Sequence, residues 1–142
     1  MNFISTVRPL PQGPLSGKRM DEIDDISLAR TLLGNIRSAI SEVSNPDYHR
    51  KLWRGDVDGE RSSFVEIYYL VSDCDIDIVR AHREVLHVAN TEWELTLRFL
   101  VKFLRHYSKV SDVNDHDKIF GDPEWAIVVE SARDANYGRA PI

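Results

Sequence analysis

The sequence predicts an all-α fold, a compact bundle of five or six helices with an extended N-terminal arm. Apolar residues return every three or four positions over most of the chain, and start and stop signals mark most of the segment boundaries. At 142 residues the chain has the size of one domain, with 42% hydrophobic and 29% charged residues, the balance of an ordinary globular protein. The domain is expected over 21–142. Pro9, Pro11, Gly13, Pro14 and Gly17 predict that 1–20 is an extended, flexible arm, because each proline lacks an amide donor and biases its predecessor toward extended backbone.

The first helix follows from Ile26, Ala29, Leu32, Leu33, Ile36, Ala39, Ile40 and Val43, a single stripe at 100° per residue. Asp21, Glu22, Asp24 and Asp25 are expected in its first turn, where the helix dipole favours negative charge. Asn45-Pro46 restarts the chain as a short helix over 46–54, closed by Gly55, with Tyr48 and Leu52 on one side.

The run 64–71 reads two ways. Ser63 and Glu66 have capping-box spacing, which predicts a helix. Val65, Ile67, Tyr69 and Val71 also alternate, so the alternative is an α+β fold with a short hairpin or small sheet involving 64–71.

Asp75 is expected to cap a helix over 76–89 whose apolar face holds Ile78, Val79, Ala81, Val85, Leu86, Val88 and Ala89. Thr91 and Glu94 open a helix over 92–109, with Trp93, Leu97, Leu100, Val101, Leu104 and Tyr107 on one face and Leu95, Phe99 and Phe103 widening the apolar arc. That arc predicts the central element. Residues 110–121 read as a polar loop, and Asp122-Pro123 opens a last helix that buries Trp125, Val128, Val129 and Ala132.

A net charge of −5 argues against general affinity for a polyanion. Cys74 is the only cysteine, which excludes an internal disulfide and makes a reducing cytoplasm the expected compartment. The N-terminal residues have no basic start leading into an apolar core, so no export signal is expected. The longest apolar stretch, Ile67 to Val71, is far too short to cross a bilayer, so no membrane association is expected.

Several side-chain patterns bear on chemistry. Arg80 and His87 lie two helical turns apart on the predicted 76–89 helix and would emerge on one face, able to grip a phosphate and move a proton. The spacing resembles the loose Arg-to-His pattern of HEPN-type ribonucleases, which are small helical bundles. The resemblance covers eight residues and departs at Ala81, where that family usually has a polar residue. It implies metal-independent RNA cleavage with Arg80 and His87 as the catalytic pair. The plainer reading makes Asp77, Arg80, Arg83, Glu84 and His87 a solvated helix face.

Asp73, Asp75, Asp77 and Glu84 fit four positions of a calcium loop, but Ile78 occupies the position that needs glycine, which leaves capping as the better role for these Asp residues. Glu84 and His87 have the spacing of a carboxylate-bridged metal bundle without its required second copy. Gly-rich phosphate loops, Cys-x-x-Cys pairs, His-Glu-x-x-His and Gly-x-Ser-x-Gly motifs are all missing, so no cofactor or metal is expected.

Charge is unevenly placed. Arg98, Lys102, Arg105 and Lys109 form one stripe along the 92–109 helix, the one feature suited to an acidic partner or to nucleic acid, although cations are also favoured near a helix C-terminus for structural reasons. Residues 111–142 hold seven acidic side chains against three basic ones, with Asp112, Asp115, Asp117 and Asp122 close together. Such a cluster can steer a basic partner, or simply keep a loop soluble. Size, acidity and missing catalytic motifs favour a small protein-binding module without enzymatic activity. An inhibitor or immunity protein acting on a basic macromolecule is one concrete form, and the HEPN-like ribonuclease is the alternative.

Overall fold

A computed structural model describes residues 13–59, 62–72 and 75–138, with side-chain surroundings from Asp24 onward. Seven helices and no strand occur among the described residues: α1 (Gly13–Val43), α2 (Pro46–Arg54), α3 (Phe64–Ser72), α4 (Ile76–Ala81), α5 (Asn90–Lys109), α6 (His116–Phe120) and α7 (Pro123–Gly138). The fold is all-α, and none of these helices is long and apolar enough to cross a membrane.

α1 buries Ala29, Leu32, Leu33, Ile36, Ala39, Ile40 and Val43, the stripe read from the sequence. Its start differs. Residues 13–20, expected to be extended, are helical, and the rest of the expected arm, 1–12, lies outside the described residues. Pro14 falls in the first turn, where its missing amide would have had no helical partner in any case. Asp21 to Asp25 therefore lie beyond the first turn, away from the positive end of the dipole.

α2 has the expected ends. The Asn45 side chain accepts from the Tyr48 amide, Pro46 takes the first position, and Gly55 closes the helix at φ 78°. Its inner face holds His49, Leu52 and Trp53, whereas Tyr48, read on the same side as Leu52, is exposed. In α3 the Ser63 hydroxyl accepts from the Glu66 amide, and Phe64, Ile67 and Val71 point inward at helical spacing. The sheet alternative for 64–71 is thereby corrected.

The helix expected over 76–89 ends at Ala81. Asp75 caps its start as predicted, but the His82 ring Nδ1 lies 2.9 Å from the Ile78 carbonyl while the His82 amide turns to Val79. A side chain thus takes the acceptor that the next helical amide would use, and turns follow to His87, whose φ of 59° is left-handed.

α5 starts at Asn90, earlier than its capping box suggested, and packs most extensively on α7. Its buried face is Glu92, Trp93, Thr96, Phe99, Leu100, Phe103 and His106. That face is rotated from the expected one: Val101 is 53% exposed and Leu104 37%. Two polar side chains turn inward because other helices supply partners for them, Arg37 for Glu92 and Glu124 for His106. Within the expected 110–121 loop, Asp115 caps the short α6, and Asp122 accepts from the Glu124 amide at the start of α7. α7 buries Trp125, Val128, Val129 and Ala132 as read, together with Ser131 and Ala135.

The main core runs through α1, α2, α3, α5 and α7, and α6 adds Ile119 to it. A smaller cluster of Leu32, Leu33, Val79, Val88 and Trp93 joins α1 to α4 and the start of α5.

Candidate functional site

The polar flank of α1 beside its buried stripe carries Gly34, Arg37, Ser38, Ser41 and Glu42. α2 and α3 pack on either side of it, so this flank becomes the floor of an open groove of about 1110 Å³, walled by Tyr48 and Leu52 from α2 and by Glu66 and Leu70 from α3. Gly34 contributes no side chain, and a Cβ placed there would meet nothing within 4 Å.

Arg37 is already engaged. Its Nε and Nη2 donate to the two carboxylate oxygens of Glu92 at 2.8 and 2.9 Å, a fork-on-fork pair that joins α1 to α5. Glu42 is half-buried. Its carboxylate accepts from the Trp53 indole N–H at 2.7 Å, and its backbone carbonyl faces the His49 Nδ1 at 3.3 Å. Burial pushes the Glu42 carboxyl above its ordinary range, hydrogen bonds from Trp53 and Ser62 oppose that, and the charge of Glu66 adds to it. Among the described residues no cation forms an ion pair with Glu42 or Glu66.

Two carboxylates facing a solvent-filled groove without a counter-charge can receive a guanidinium or an ammonium group. Bond-breaking chemistry has less to work with. The lining holds serines but no histidine, and no group of three or more potential metal ligands occurs among the described residues.

The residues singled out from the sequence lie elsewhere. Arg80 is exposed and bonded to Asp77 at 2.8 Å, while His87 sits beyond the end of α4 on the left-handed turn. The shared helix face on which their pairing rested is not formed. Of the calcium-like pattern, Asp73 and Cys74 lie outside the described residues, and Asp75 caps α4.

The basic stripe is exposed in part. Arg98 and Lys102 line a small cleft of about 350 Å³ opposite Glu130 and Asp134 of α7, and Lys109 pairs with Glu124 at 3.1 Å. Arg105 stays exposed. Three loop carboxylates act as local caps, Asp112 for the Asn114 amide, Asp115 for Lys118 and Asp122 for Glu124. Asp117 lies 3.5 Å from Arg54. None of the four lines the groove.

In the sequence Glu42 merely falls outside the apolar stripe of α1 and Glu66 completes the capping-box spacing with Ser63, and neither pattern signals that the two share a groove. Arg37 and Glu92 are 55 residues apart, a separation at which no local periodicity operates. Comparison with family models, with curated proteins and with solved structures finds no match.

Proposed function

We propose that this chain is a protein-binding module whose α1–α2–α3 groove takes a basic segment of a macromolecular partner, as an inhibitor or immunity-type protein would. The observation that carries this reading is the pair of carboxylates, Glu42 and Glu66, facing a groove of about 1110 Å³ with no cation paired to either among the described residues, while the guanidinium in the same groove is held by Glu92. An arginine or lysine side chain entering there meets a half-buried carboxylate, where charge-assisted bonds are stronger than on open surface. The net charge of −5 favours encounter with a positively charged partner. A lone cysteine suits a reducing cytoplasm.

Calorimetry with an arginine-rich peptide and its glutamine-substituted counterpart tests the reading, alongside capture from a cell extract at low salt. The arginine peptide is expected to bind, to weaken as salt rises, and to lose about tenfold or more in affinity to the Glu42→Gln/Glu66→Gln double variant. The Asp112→Asn/Asp115→Asn variant serves as the loop control. Equal binding of both peptides, or undiminished binding to the groove variant, would refute the assignment.

A further inference from the structure

Three imidazoles lie around one aromatic cluster, and each has a buried Nε2 without a hydrogen-bond partner. His49 of α2 is wholly buried between Trp53, Phe120 and Trp125, with ring centroids 5.1, 5.3 and 5.6 Å away. His116 of α6 packs on Trp53 at 4.9 Å. His106 of α5 lies 6.0 Å from Trp125. The Glu42 carbonyl beside His49 Nδ1 is an acceptor, so the hydrogen is assigned to Nδ1 and the bare lone pair to Nε2. A second proton on that ring would create both a buried N–H with no acceptor and a charge in an apolar enclosure. Cation–π attraction from the surrounding rings returns less than that desolvation costs.

α6 has five residues, too few to hold a helix without tertiary support. It seats Ile119 in the main core beside α7, and its attachments to α2 are Phe120 stacked on Trp53, the Arg50 guanidinium 5.1 Å over Phe120, the His116–Trp53 contact and the exposed Arg54–Asp117 pair. We propose that α6 is an acid-released latch: protonation of His49 and His116, which flank the Trp53–Phe120 stack, detaches α6 from α2 while the body formed by α1, α5 and α7 stays folded.

The charged groups around the corner do not supply His49 with a counter-ion. From α1, the Glu42 carboxylate is bonded to Trp53. Within α2, Asp47 favours the charged ring and Arg50 opposes it. From α6, Asp115 and Asp117 act on His116, Asp115 also capping the helix and Asp117 lying near Arg54. From α7, Glu124 turns to His106 and Lys109. Burial dominates, lowering His49 from 6.5 to about 4 and lowering His116 in the same direction. Folded values below the open-state values mean that the closed form is fully favoured above pH 6.5. It then loses up to tenfold per pH unit as pH falls from 6.5 toward 4. Full exposure of His49 on release sets the upper bound on its share, roughly 30-fold in the open-to-closed ratio between pH 7.5 and 5.0. The latch would operate whatever the groove binds.

Amide hydrogen exchange on the full chain, compared at pH 7.5 and 5.0 after correction for intrinsic exchange, tests the proposal. The Ile119 and Gly121 amides are expected to lose at least tenfold protection while those of Leu100–Phe103 and Val128–Ala132 keep theirs. The His49→Asn/His116→Phe variant is expected to abolish the response, and Glu42→Gln, which removes the neighbouring titratable carboxylate, to retain it. Should the double variant fail to fold, imidazole NMR titration of the unaltered chain decides, because His49 is expected to take its proton in step with α6 opening. Loss of protection in α5 and α6 together, or titration of His49 with α6 still protected, would overturn the latch.

Discussion

Arg37 and Glu92 hold α1 against the start of α5 through two parallel hydrogen bonds of 2.8 and 2.9 Å, and the carboxylate is almost completely buried. The pair explains how a glutamate can sit on the inner face of the most apolar-looking helix. Its charge is neutralised by a guanidinium whose own outer side still reaches the groove.

Removing one partner should therefore cost more than removing both. Arg37→Ala is expected to lose about 3 kcal/mol by leaving a buried carboxylate alone, and Arg37→Met/Glu92→Met to lose clearly less. Urea denaturation of Arg37→Ala, and of Arg37→Met, Glu92→Met and their double variant assembled as a double-mutant cycle, measures the difference at neutral pH. Strictly additive losses would show that the two side chains are not coupled.

Gly34 lies within α1 on the floor of the groove, where an added Cβ meets no atom within 4 Å. Gly34→Ala should stabilise the fold by about 0.5–1 kcal/mol, because alanine restricts the unfolded chain and favours the helix. A raised urea midpoint with unchanged slope is the expected result. Destabilisation would mean that the floor is more tightly packed than these distances indicate.

The rotation of α5 is open to a direct test. Val101 is 53% exposed whereas Phe103 is wholly buried against Phe64, Phe99, Tyr107 and Trp125. Val101→Ser is expected to change stability by no more than about 0.5 kcal/mol, and Phe103→Ala to cost about 3–5 kcal/mol. Comparable losses at both positions would return α5 to the orientation its overall apolarity suggested.

Several features of this chain were legible without coordinates because they depend on neighbours a few residues away. Asn45, Asp75 and Asp122 each bond an amide two or three residues on, Gly55 takes the left-handed turn it alone adopts cheaply, and the stripes of α1 and α7 repeat with the helical period. The α3 ambiguity had the same local basis, and the Ser63 cap together with the spacing of Phe64, Ile67 and Val71 resolves it.

Tertiary structure decided the rest. The early end of α4 is the exception, a local contact of the His82 ring with Ile78 four residues back that removed the common face of Arg80 and His87. Glu92 and His106 could turn inward only because Arg37 and Glu124, from other helices, were there to meet them. Glu42 and Glu66 came to line one groove when α3 packed on α1. Backbone capping and helical period act over one or two turns, so composition and spacing determine them. Charge pairing and groove formation depend on which helices lie side by side, and that is set by packing across the whole chain.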